Sequence, residues 1–90
     1  MGFLKIVKTL KDISPEEYIY ETGNARLIFK SAEIDYDNHT LILRDKENGT
    51  WLRTEEIYDV EVYEHELHTS IHMSTASGGL MRLWYLTRMT

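Results

Sequence analysis

The chain has no cysteine, one proline and only 10 Lys and Arg among its 90 residues, and each shortage removes a class of function. Without a thiol there is no disulfide, no thiolate metal site and no cysteine nucleophile, a composition suited to a cytoplasmic protein. No stretch approaches the ~20 consecutive apolar residues of a membrane-spanning helix, so the expectation is a soluble protein. The opening MGFLKIVKTLKD carries lysines but neither a continuous apolar run nor a small-residue cleavage site, and does not read as a signal peptide. Ile6 stands where myristoylation favours Ser or Thr, which makes Gly2 a poor acceptor. The basic residues are thinly spread and outnumbered by 15 acids, for a net charge of −5. Direct nucleic-acid binding needs clustered positive charge and is disfavoured. Acidity suits solubility, a basic protein partner, or imitation of nucleic acid. Catalytic templates are also missing. There is no G-x-S-x-G elbow and no Gly-rich phosphate loop, and Gly78-Gly79 reads as a turn. The expectation is a protein that is not an enzyme and needs no cofactor.

Most of what is present lies between Trp51 and Arg88. With 42% apolar residues the chain has enough for one core, and residues 1–90 read as a single β-rich domain. Tyr58, Val60 and Val62 share one parity with Asp59 and Glu61 between them, the alternation of a strand with one dry and one wet face. From Leu67 the parity flips: Leu67, Ile71 and Met73 are odd, His68, Ser70, His72 and Ser74 even. Such a flip places a turn or bulge at Tyr63–Glu66. Ser77-Gly78-Gly79 supplies the next turn, before Leu80–Arg88.

Upstream, Ser14-Pro15-Glu16-Glu17 has the form of a capping box with proline at the first helical position, and predicts a short helix over Pro15–Glu21 ended by Gly23-Asn24. Phe3, Ile6, Val7 and Leu10 follow helical spacing, yet Ile6, Val7 and Thr9 are β-branched. The segment is open between the two states, with the β-rich context favouring a strand. Ala25–Phe29 reads as a strand, and Ala32–Tyr36 as its continuation past a kink or the next strand. Turns at Asp37-Asn38-His39 and Lys46-Glu47-Asn48-Gly49 flank Leu41–Arg44, and Thr50–Thr54 follows. The fold class is mainly β (small α+β): an antiparallel roll or small barrel of about six or seven strands with one short helix.

The run Trp51-Leu52-Arg53-Thr54-Glu55-Glu56-Ile57-Tyr58-Asp59-Val60-Glu61-Val62, followed by Ser70–Ser74, Gly78-Gly79 and Leu83-Trp84-Tyr85, resembles bacterial PH-like and GRAM-like domains. The resemblance spans Arg26 to Leu86 and consists of hydrophobic spacing and turn residues. It implies a small β-barrel closed at one end by a C-terminal helix, whereas this chain stops at Thr90, just past its last strand. Phosphoinositide-binding members carry Lys and Arg in the first hairpin loop; here that loop is Asp35-Tyr36-Asp37-Asn38-His39, which repels phosphate, so lipid binding is not carried over.

Three groups of side chains are candidates for a site. His65, His68 and His72 could hold a metal ion on a helix. On strands His65 and His68 have opposite parity, and His68 and His72 stand about 13 Å apart, so solvent-facing histidines are the preferred reading. Glu55, Glu56, Asp59, Glu61, Glu64 and Glu66 put six acids into twelve residues. Asp59 and Glu61, about 7 Å apart on the wet face, match the spacing of successive phosphates on one nucleic-acid strand. Such a run is ordinarily just a wet surface; as a site it is a docking surface for a basic protein. Trp51, Tyr58, Tyr63, Phe29 and Tyr36 read mostly as core. Trp84 and Tyr85 point to opposite faces, so one faces outward, and an outward aromatic flanked by Arg82 and Arg88 is a fair anchor for a foreign partner or a second copy.

Taken together, the residues predict a non-enzymatic protein-binding module that docks a basic partner through the acidic strand surface, in the manner of small phage or mobile-element inhibitors of a host factor. The alternative is an assembly subunit that self-associates, as a homodimer or larger, through Leu80–Arg88. A His65–His68–His72 metalloprotein is the remote third.

Overall fold

The computed structural model describes residues 6, 8–10 and 15–87. Eight strands form from them: β1 (Tyr18–Glu21), β2 (Arg26–Phe29), β3 (Ser31–Asp35), β4 (Thr40–Asp45), β5 (Thr50–Arg53), β6 (Ile57–Glu64), β7 (His68–Thr75) and β8 (Leu80–Leu86). All neighbours are antiparallel, in a five-stranded sheet ordered β2-β1-β8-β7-β6 and a three-stranded sheet ordered β3-β4-β5. The mainly β class holds. Among the described residues the sheets do not close into a barrel.

The segment expected as a helix is where the structure departs furthest. Pro15, Glu16 and Glu17 are irregular and Tyr18–Glu21 is a strand paired on both sides, by β2 and by β8; Ser14, the proposed cap, lies outside the described residues. A helix of two turns is marginal by itself because nucleation is unfavourable. Tyr18-Ile19-Tyr20 is a good strand sequence, and pairing buries all three residues. Tertiary pairing outweighs the cap signal, and this extra strand raises the count to eight. Conversely Ile6, Lys8, Thr9 and Leu10 are helical rather than extended. Ile6 and Leu10, one turn apart, are buried in the common core while Lys8 is exposed, so the helical period overrides the β-branched composition. No helix among the described residues is long and apolar enough to cross a membrane.

The connection between sheets is a bend within one extended run. Lys30 alone separates β2 from β3, and its N–H donates to the Arg44 carbonyl at 2.8 Å. Residues 54–57 likewise tie back to β4 and the turn before it, through Thr54 N–H to the Leu41 carbonyl (2.9 Å) and Ile57 N–H to the His39 carbonyl (2.8 Å). Between the sheets lies a core that includes Tyr18, Phe29, Leu41, Leu43, Ile71 and Leu83. Tyr85 is 1% exposed and packs edge-on against Tyr18, ring centroids 5.8 Å apart. The turns at 36–39, 46–49 and 76–79 fall where the sequence places them, with His39 (φ 53°), Gly49 (71°) and Gly78 (92°) in the left-handed region. The turn expected at Tyr63–Glu66 instead lies at Glu66-Leu67, with Tyr63 and Glu64 paired in β6 and Leu67 exposed.

A β-bulge changes the phase of β6. Ile57 pairs with Thr75 and Asp59 with Ser74, leaving Tyr58 as the extra residue. Ile57 and Val60 therefore both face the core, and Tyr58, assigned by parity to the dry face, is 77% exposed. The other aromatics read as core divide similarly. Phe29 is buried, whereas Trp51, Tyr36 and Tyr63 are exposed.

Candidate functional site

The register of the five-stranded sheet defines which side chains share its outer face. On β8, Met81, Leu83 and Tyr85 are buried, so Arg82, Trp84 and Leu86 face outward. Carrying that parity across the paired strands gives a charged row, Arg26–Glu21–Arg82–His72–Glu61, and beside it an aromatic and apolar row, Ile28–Ile19–Trp84–Ser70–Tyr63. Asp59 lies next to Ser74 at the margin of the same face.

Trp84 occupies the middle of it. The Arg26 and Arg82 guanidinium groups lie 5.7 and 5.6 Å from its ring centroid, and the His68 ring meets it edge-on at 6.1 Å. Arg82 is fixed by donating to Ser70 Oγ (2.8 Å) and Glu21 Oε1 (2.9 Å), while Glu21 also pairs with Arg26 at 3.4 Å. The Trp84 indole N–H is shielded from solvent and has no acceptor among the described residues. Of the expected anchor group, Trp84 and Arg82 thus stand together; Arg88 lies outside the described residues.

The acids do not form one flat surface. Asp59 and Glu61 are on the outer face, and Glu64 is exposed on the opposite parity. Glu55 and Glu56 belong to the link before β6, where Glu55 accepts from Ser77 Oγ at 2.7 Å; Glu66 is in the hairpin turn. Asp59, Glu61 and Glu64 share β6, which among the described residues is an edge strand with β7 on one side only. Tyr63 donates its hydroxyl to Glu61 Oε2 (3.0 Å), and that bond with the nearby carboxylate charge pushes the phenol above its ordinary pKa. A shallow groove of about 160 Å³ lies against Asp59, Glu61, His72, Ser74 and Leu80.

The histidines part company. A two-residue turn sets His65 opposite His68, so their rings stack at 4.5 Å rather than pointing apart, whereas His72 packs on Tyr63 at 4.9 Å. Among the described residues no group of three His, Cys, Asp or Glu is placed to hold a metal ion.

A larger cleft, about 410 Å³, opens between the sheets beside Tyr20, Leu52, Arg53, Thr54 and Thr75. Its polar groups already hold loops in place. Arg53 donates to Asp35 and Thr40, Thr54 Oγ1 accepts from Leu41 N–H, and Thr75 Oγ1 accepts from Gly79 N–H. Asp35, bonded by Asn38 and Arg53, is held down to a pKa of about 2, so the acidic first hairpin loop is an internally satisfied turn.

Sequence reasoning missed Ile19, Glu21, Arg26 and Ile28, since it read residues 15–21 as helix. A signal was available: Glu21 and Arg26 flank Gly23-Asn24 symmetrically, as cross-strand partners of a tight hairpin do, and Thr22 N–H closes that turn on the Ala25 carbonyl (2.9 Å). Comparison with known protein families, with characterised proteins and with solved structures yields no match to this chain.

Proposed function

We propose that this chain is a non-enzymatic protein-binding module that docks a basic protein through the acidic margin of the outer sheet face. The observation that carries this reading is the position of Asp59 and Glu61 at alternate sites on the outward face of an edge strand, bordering a groove lined also by His72 and Leu80. A long basic side chain fits such a groove, with its stem on Leu80 and its charge toward the carboxylates. The spacing of the two acids, about 7 Å along the strand, suits a surface that ordinarily meets phosphates, so a nucleic-acid-binding host factor is the partner class favoured. Inhibition by occupying that factor's site is the corresponding biological role, and it is the role of many small phage and mobile-element proteins.

A second reading, self-association, draws on Ile28 within the Trp84 row and Leu86 beside it, both about half exposed. Strand β8 is paired on both sides, so a dimer through Leu80–Leu86 must form face to face, over Trp84. The PH-like resemblance bears on architecture and adds no ligand to either reading.

Affinity capture of basic proteins from a bacterial lysate, compared between wild type and Asp59→Lys/Glu61→Lys, tests the docking reading. Capture that weakens with salt and disappears in the variant, with circular dichroism unchanged, is the expected result. Capture that survives charge reversal assigns docking elsewhere. A stable oligomer lost on Trp84→Glu favours self-association.

A further inference from the structure

Among the described residues, the outer edge of β6 is an unfilled half of a β-ladder. The β6–β7 hairpin closes with His65 N–H donating to the His68 carbonyl at 2.8 Å. The register continues unbroken through Glu64↔Thr69 to Asp59↔Ser74. In an antiparallel pair every second residue pair is hydrogen-bonded, so residues 59, 61, 63 and 65 turn their backbone groups toward β7. Val60, Val62 and Glu64 turn theirs to the open edge. There the Val60 N–H is satisfied by the Asp59 carboxylate at 3.0 Å. The N–H groups of Val62 and Glu64 and the carbonyls of all three are left without a partner among the described residues. A flat, open edge of this kind is ordinarily blunted by charge or a bulge. Here the bulge stands at Tyr58, outside the 60–64 segment, and the charge present is all of one sign.

Resting on the docking reading above, we infer that β6 binds its partner by strand addition: an extended segment of a basic protein pairs with Val60–Glu64 as a sixth strand of the sheet. Charge decides the occupant. Strand β6 reads IYDVEVYE, with three acids and no base. Pairing two copies of it brings three acids of one strand alongside three of the other with no base between them, which is unfavourable. A segment with Lys or Arg at alternate positions meets Asp59 and Glu61 on the outer face. Its intervening residues fall on the inner face beside Val60, 1% exposed, and half-buried Val62, where only apolar side chains extend the core. The expected ligand pattern is therefore basic–apolar–basic–apolar. A lysine that draws the Asp59 carboxylate away also releases the Val60 N–H to the incoming ladder.

The test uses the full chain, ¹⁵N-labelled, with an alternating Lys-Val peptide as long as β6, the same peptide N-methylated on the amides that face β6, and an alternating Glu-Val control. The expected result is amide shifts concentrated at residues 59–64, slowed hydrogen exchange at Val62 and Glu64, and binding at least about tenfold weaker after N-methylation, the effect of losing one or two ladder bonds. No shift at 59–64 with the Lys-Val peptide overturns the inference, as does equal binding of the Glu-Val control. Equal binding of the N-methylated peptide overturns strand addition while leaving side-chain docking intact. Lysate capture that is indifferent to Asp59→Lys/Glu61→Lys removes the docking reading itself. Glu64→Pro deletes an outward N–H at an exposed site without touching the β7 ladder, and is expected to weaken the Lys-Val peptide in the same way.

Discussion

Trp84 gathers contributions from four strands: Arg26 from β2, Ile19 at its register position on β1, His68 from β7 and Arg82 from its own strand. Its value lies in area and ring face rather than in its N–H, which finds no acceptor among the described residues. Trp84→Ala is expected to lower stability by about 1–3 kcal/mol in urea denaturation, from lost apolar burial and two cation–π contacts. Trp84→Phe keeps a ring and loses no hydrogen bond, and recovers most of that loss. A phenylalanine variant as unstable as the alanine one contradicts this assignment. Asp35 carries the pH dependence at this scale. Bonds from Asn38 and Arg53 lower its folded pKa to about 2, whereas an unfolded aspartate titrates near 4. A carboxyl depressed in the folded state contributes stability that is fully present above about pH 4 and lost as pH falls through 2. Asp35→Asn removes that contribution, so its stability curve is flatter than the wild type's across this window. Parallel curves contradict it.

At the scale of elements, the strands from β2 to β8 were legible because their signals are local: period-two alternation bounded by Asn-Gly, Ser-Gly-Gly and Asp-Asn-His turns. Three features were not. Tyr18–Glu21 carries a cap motif before it and becomes a strand only because β2 and β8 flank it, a non-local fact. Ile6 to Leu10 presented conflicting propensity and period, and burial of Ile6 and Leu10 decided for the period. The bulge at Tyr58 left no mark in the alternation; an unbroken Tyr58, Val60, Val62 parity looked sound and was wrong by one residue at its start. That last point is testable. Ile57→Ala is expected to cost about 2–5 kcal/mol, as for a truncated core residue. Tyr58→Ala stays within about 0.5 kcal/mol. The opposite order, read from two denaturation curves, restores the unbroken alternation and removes the bulge.

For the molecule as a whole, the acidic run was visible in the sequence, but its use depends on topology. Six acids in twelve residues say little until β6 is seen to be an edge strand, with Asp59 and Glu61 outward and its backbone half-paired. The neighbours that complete the face, Glu21 and Arg26, come from the other end of the chain and were invisible for the same reason β1 was. Outer face and open edge meet along one margin, and in the docking proposed above charge selects the partner and the ladder orients it. This predicts an association that is fast and strongly salt-dependent, since exposed charges act mainly on encounter and are screened as ionic strength rises.

The most direct test of that account is the affinity of the captured basic partner for wild type and for Asp59→Lys/Glu61→Lys, measured over a salt series. The account predicts steep weakening with salt for the wild type, and at low salt a loss of about tenfold or more on charge reversal with a flattened salt dependence. Equal affinities and parallel salt dependences for the two proteins contradict it.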